Sequence, residues 1–219
     1  MASWMVHFRI ADGLLKHLEV NAAQFIVGNI GPDCGEPNED WSAFNPPAVI
    51  THWTKTGRKR DINSQGFYKE YIEYNTDKET LSFYLGYYVH LLTDILWVEK
   101  IHLPTKEKFI KEFERDKDFI WKVKEDWSDQ DHLFLLNHPD FRAFRIFEAV
   151  KEFPNIYLDY YSQTAIEKQI QHISGFYSSH EGDLNREYTY LNQEQADNFV
   201  VMALQKICKD LRDKNLTVC

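Results

Sequence analysis

The stretch Thr80–Val98 reads TLSFYLGYYVHLLTDILWV, and Asp94 is its only Asp, Glu, Lys or Arg. The run is long enough for about five turns of helix. It is apolar almost all round, which predicts a buried central helix over about 80–102. An ionised carboxylate cannot stay in such a place unpaired, because burial without a cation or strong donors is costly. His90 lies at i−4, on the same face as Asp94. Gly86, another turn back, removes a side chain where a second element can approach. H-x-x-x-D on a core helix sets two potential ligands for one metal ion side by side. The same spacing also serves a plain hydrogen-bonded core pair.

Outward from this stretch, helix signals dominate. Asp77 can cap the central helix and Pro104 is expected to end it. Ser3 can cap a first helix from Trp4 to about Leu18, with Val6, Ile10 and Leu14 along one side. Asn21 and Gln24 resemble a capping box for the short apolar helix AAQFIVGNI, stopped by Gly31-Pro32. Phe67–Tyr74 is a further helix. Lys106–Trp127 carries Phe109, Ile110, Phe113, Phe119 and Ile120 among many charges and predicts one amphipathic surface helix. Ser128–Asp131 and His138-Pro139-Asp140 are start signals for two shorter helices. Pro154 opens a helical region through Ile173, and turn chemistry follows to Tyr190. Asn192 with Gln195 caps a last helix to about Lys214. No strand pattern, repeat or linker stands out, so the expectation is an all-α fold, one domain over residues 1–219.

Composition narrows the function. The chain has 219 residues with 15 % aromatics and a net charge of −9. That describes a folded globular protein and argues against general nucleic-acid or anionic-membrane binding. Cys34, Cys208 and Cys219 show no CxxC spacing and fit a reducing compartment, and no signal peptide is evident, so a cytoplasmic location is expected. Thr80–Val98 is too polar for a membrane span.

Five residues of the first 94 can converge: His7, Asp33, His52, His90 and Asp94. His7 falls one turn before Ala11, where something can approach closely. Asp33 follows Gly-Pro, a rigid turn beyond a helix end that faces a cleft. His52, between Ile50 and Trp53, is expected to point inward from a loop. Three imidazoles and two carboxylates suit zinc first, with manganese, iron or nickel also accommodated. Each alone has an ordinary structural reading. Lys55, Arg58, Lys59 and Arg60 directly follow His52; this local reversal of charge either steers an anionic substrate or is a solvated loop. Glu36, Glu39 and Asp40 are either extra ligands or loop solvation. His17, His132, His138, His172 and His180 have no partner spacing and are assigned to surface or packing.

The segments MVHFRIADGLL, FIVGNIGPDCG, ITHW and SFYLGYYVHLLTDILW resemble the zinc-dependent phospholipase C and S1/P1 nuclease superfamily, and most of all its short bacterial cytoplasmic branch. The resemblance covers residues 4–103 together with the helical character of the rest. It implies that His7, Asp33, His52, His90 and Asp94 bind zinc. The chain also departs from the pattern. Secreted members chelate metal through the free amine of a mature N-terminal Trp, whereas Trp4 here follows Met-Ala-Ser. They carry a later H-x-x-x-E, which this chain lacks, and His102 lies twelve residues after His90. One ion or a close pair is therefore expected rather than three.

Two functions follow as expectations. In the first, the protein is a metal-dependent phosphoric-ester hydrolase that uses metal-activated water. Asp33 then bridges metals or orients and deprotonates the water, and Arg58, Lys59 and Arg60 bind a small anionic phosphoester. In the second, it is a non-catalytic metal-binding helical protein in which a structural ion staples the segments together.

Overall fold

The computed structural model describes residues 2–39 and 43–216. Helix α1 (Trp4–Leu14) is followed by α2 (Ala22–Gly28), a 3-10 turn (Gly31–Asp33), and two short antiparallel strands, β1 (Glu36–Pro37) and β2 (Phe44–Asn45). Next come α3 (Ala48–Thr51), α4 (Ser64–Tyr71) and the long α5 (Lys78–Trp97). The second half holds α6 (Leu103–Lys108), α7 (Ile110–Arg115), α8 (Phe119–Asn137), α9 (Arg142–Ala149), α10 (Ala165–Ser178) and α11 (Gln193–Asp213). The fold is all-α apart from the one strand pair, as the helical periodicity predicts.

Helix α5 is the axis of the molecule. Asp77 caps it through the Thr80 amide at 3.0 Å, and its residues from Ser82 to Leu91 are all buried. It packs most extensively on α2, and two glycines permit this. A Cβ at Gly86 would lie 2.0 Å from the Phe25 carbonyl, and one at Gly28 would lie 2.0 Å from the Phe83 carbonyl. The two backbones therefore touch where neither residue has a side chain. Asn29, just past α2, is thereby brought over α5, where its side-chain amide donates to the Gly86 carbonyl at 3.0 Å.

Several local expectations are corrected. Asn21 does cap α2 through the Gln24 amide, but the Gln24 side chain turns to the Tyr157 hydroxyl, so no reciprocal box forms. The last helix has the full box at Asn192 and Gln195. Pro104 does not stop the central helix. The α-helix ends at Trp97, a π-helical turn runs from Val98 to His102, and Pro104 sits in the first turn of α6, where a missing N–H costs nothing. The single helix expected over 106–127 is broken into α6, α7 and the start of α8. Helix α8 runs straight through Ser128–Asp131, which is no helix start. The reason is tertiary. Asp131 is buried and accepts from Ser3 Oγ at 2.5 Å, Tyr177 Oη at 2.7 Å and the Met5 amide at 3.3 Å. Residues 151–164 are largely irregular, and the helix expected from Pro154 begins only at Ala165.

Candidate metal centre

Each site residue is placed by its own element. His7 projects from α1, and its ring stacks on that of His90 at 3.8 Å, nearly parallel. Burial, with the second imidazole alongside, pushes His7 down to about 4, so it is neutral at pH 7. His90 donates Nδ1–H to the Asn29 carbonyl at 2.8 Å. A carbonyl can only accept, so this bond sets the tautomer and leaves the Nε2 lone pair facing inward. The glycine-lined crossing of α2 and α5 thus orients a candidate ligand.

His52 closes α3, its backbone amide donating to the Ala48 carbonyl, and its Nδ1 lies 2.9 Å from Thr51 Oγ1. Burial and the Lys59 ammonium push it down to about 3. Trp53, the next residue, has φ of 53°, a left-handed value rare for a bulky side chain. Its ring is held edge-on against Phe67 and Tyr71. This turn leads the chain away from His52 and back to Lys59. Asp33 ends the 3-10 turn that Gly31-Pro32 begins, and its Oδ2 accepts from Trp4 Nε1 at 3.0 Å.

Five predicted ligands come together. His7 Nε2 lies 3.7 Å from Asp94 Oδ1, His90 Nε2 lies 3.6 Å from Asp94 Oδ2, and His52 Nε2 lies 3.8 Å from Asp94 Oδ2 and 3.2 Å from Asp33 Oδ1. The Nε2 atoms of all three histidines are buried with no hydrogen-bond partner. Donor atoms about 2.0–2.2 Å from a tetrahedral zinc stand roughly 3.4 Å apart, which matches these separations. Two overlapping sets, His7–His90–Asp94 and Asp33–His52–His90, are each compact enough to hold an ion. Orphaned imidazole nitrogens turned toward buried carboxylates are what a zinc site needs, so the residues present fit that metal.

Both carboxylates are held well below the usual range. Burial works against ionisation in each. The opposing pull on Asp94 comes first from Lys59 and then from His7 and His90; on Asp33 it comes from His90, from the adjacent His52 ring and from Lys59. Lys59 Nζ sits 2.5 Å from Asp94 Oδ2, and the Ala2 amide donates to Asp94 Oδ1 at 2.9 Å.

The remaining predicted residues are not at the cluster. Arg58 and Arg60 are exposed beside it. Glu36 faces Lys168 and Ser162, Glu39 is exposed, and Asp40 lies outside the described residues. His102 belongs to the π-helical turn. His172, assigned to surface or packing, packs edge-on against Trp4 and lines a cleft of about 220 Å³ with Asp33, His52 and Lys59. Asn29, Thr51 and His172 carry no local sequence signal of their role; each matters only through what the fold puts beside it.

The comparisons agree with this geometry. A profile described as "Zinc dependent phospholipase C" matches residues 6–183. No curated protein and no solved structure gives a significant match. Among the described residues no helix is long and apolar enough to cross a membrane. With the match extending over most of its length, the chain belongs to the zinc-dependent phospholipase C family.

Proposed function

We propose that this protein is a metal-dependent phosphoric-ester hydrolase whose ion, zinc by preference, is held by His7, His90 and Asp94 with His52 and Asp33 alongside. The observation that carries the reading is the set of three buried, unpartnered imidazole nitrogens, of which His52 also lines the cleft beside Asp33. His90 has only Nε2 available, since Nδ1 is committed to Asn29, so it serves a single ion. A second ion would rely on Asp33, His52 and a shared Asp94. When bound, the metal supplies Lewis-acid polarisation of a phosphoryl oxygen and acidifies a water.

The chain's own residues divide the remaining work. His7 and His52 stay neutral and keep lone pairs for ligation. Asp33, its carboxyl held low by His90, His52 and Lys59, stays ionised and orients a water, or takes its proton, through a carboxylate oxygen. Trp4 fixes that carboxylate, and Lys59, at the cleft wall, balances phosphate charge. The cleft is walled mainly by apolar side chains, including Pro32, Phe44 and Pro46, and takes the uncharged part of a small phosphoester.

A structural-ion reading has one observation in its favour: His7, His90 and Asp94 are wholly buried. The cleft beside Asp33 and His52 favours the hydrolase. The test is elemental analysis of purified protein, then zinc- and manganese-loaded assays on nitrophenyl phosphodiesters, phosphomonoesters and phospholipids. Turnover that Asp33→Asn lowers by about 100-fold or more, with the fold retained, supports the hydrolase. Bound metal with no turnover on any class supports the structural ion.

A further inference from the structure

A second groove, of about 580 Å³, adjoins the metal centre, and the basic side chains lining it come from three separate stretches of chain. Arg58, Lys59 and Arg60 come from the loop after α3, His102 from the π-helical turn, Lys106 from α6 and Lys124 from α8. No carboxylate lines it, in a chain whose net charge is −9. Among the described residues Arg58, Arg60, Lys106 and Lys124 have no ion pair. Lys124 is half-buried and held low, by burial first and then by Lys59, with Asp33 pulling the other way. His102 is also held low, by burial first and then by surrounding charge that includes Lys106, Arg60 and Lys124. Arg58, Arg60, Lys106 and Lys124 therefore share one positive field, beside a Lys59 that is already paired with Asp94.

Such an arrangement is costly to the bare protein. Like charges gathered in one concavity repel, and Lys124 loses hydration as well. A solvated charged loop would spread its side chains into water, yet here residues far apart in sequence close around a floor that includes Ile120 and Trp127. The volume is that of a small-molecule site rather than a track for a polymer. Lys59 lines both this groove and the apolar cleft, and it touches Asp94, so the two clefts meet at the metal centre.

We propose that this groove is a polyphosphate subsite, so that the substrate is a small organic ester carrying further phosphate groups beyond the one cleaved. This rests on the hydrolase reading for the identity of the ligand as substrate, but the groove's affinity for anions does not. The apolar portion lies toward Phe44 and Pro46, the scissile phosphate is at the metal centre, and the additional phosphate sits among Arg60, Lys106 and Lys124. Arg supplies a bidentate fork and Lys a point charge, the pairing used to grip phosphate oxygens.

The experiment is calorimetric titration of the protein, as purified and with metal content measured before and after, with inorganic tripolyphosphate and separately with orthophosphate. It is run at low salt, where exposed charges act over more than about 10 Å. Wild type is expected to bind tripolyphosphate at least about tenfold tighter than orthophosphate, and Arg60→Ala/Lys106→Ala to lose about tenfold or more of that affinity. Both positions are exposed, so the melting temperature should hold; Lys106→Glu alone provides a second variant with the same direction of effect. Chelation of the metal by tripolyphosphate would not depend on Arg60 or Lys106. Equal affinity for the two anions, or tripolyphosphate binding unchanged in both variants, overturns the proposal. Tight binding in a protein that hydrolyses no phosphoester would keep the groove as an anion site and discard the hydrolase reading.

Discussion

The ammonium of Lys59 lies 2.5 Å from Oδ2 of Asp94, a carboxylate with no solvent exposure. A loop cation expected to bind substrate thus neutralises the one charge within Thr80–Val98 of the central helix. The contact competes directly with a metal for the same oxygen. Lys59→Met should therefore raise zinc affinity by about tenfold, measured against a chromophoric chelator, because the carboxylate then has no other cation nearby. The same substitution should weaken phosphoester binding. Zinc affinity lower than wild type would mean that Lys59 helps to organise the site.

Asp94→Ala and His90→Ala should each lose metal and stability together. Removing Asp94 leaves Lys59 half-buried beside three imidazoles, and breaking such a buried arrangement costs about 3–5 kcal/mol. Removing His90 takes away the ring stacked on His7 and the donor to Asn29. Thermal melts with and without added zinc check this. A variant with unchanged melting and full metal would contradict the central role given to this pair.

Gly86→Ala should be as damaging as loss of a ligand, although Gly86 touches no metal-binding atom. The added methyl would collide with backbone at Phe25 and Asn29, which no side-chain rearrangement can relieve. A loss of about 3 kcal/mol or more is expected. Because Asn29 orients His90, zinc affinity should fall with it. An unperturbed melting curve would show that α2 and α5 can separate at no cost.

His7 and His52 sit far below the ordinary histidine value of 6.5, at about 4 and about 3. Between those values and 6.5 the unfolded chain binds protons that the folded chain refuses. Their contribution to stability is therefore fully present above pH 6.5 and is lost as pH falls toward 4 and then 3. At about 1.4 kcal/mol per pH unit, His7 alone accounts for something on the order of 3 kcal/mol. Asp131, raised to about 6 by burial, acts in the opposite direction and favours the folded state as pH falls below 6. Asp131→Asn should thus make acid destabilisation steeper, as read from denaturant melts between pH 7 and 4. Neither imidazole has a proton to displace from pH 7 to about 5, so neither should make zinc affinity depend on pH there. A loss of about a hundredfold per pH unit below 6.5, one proton for each, would mean that these two histidines titrate normally.

The central helix, its Asp77 cap, the last helix with its box and the five candidate ligands were all legible in the sequence. Each rests on a local cause: an uncharged stretch can only be buried, caps satisfy the nearest amides, and H-x-x-x-D sets two side chains on one helical face. What only the tertiary structure decided depends on partners distant in the chain. Helix α8 passes through Ser128–Asp131 because Ser3, Met5 and Tyr177 satisfy Asp131 from elsewhere. Gly86 proved to be a contact of backbone on backbone, which a glycine in a sequence suggests but cannot locate. Lys59 and its neighbours followed the same rule. The sequence showed a basic loop, but only the folding of α6 and α8 against it brought Lys106 and Lys124 to the same groove, because charge acts through space and not along the chain.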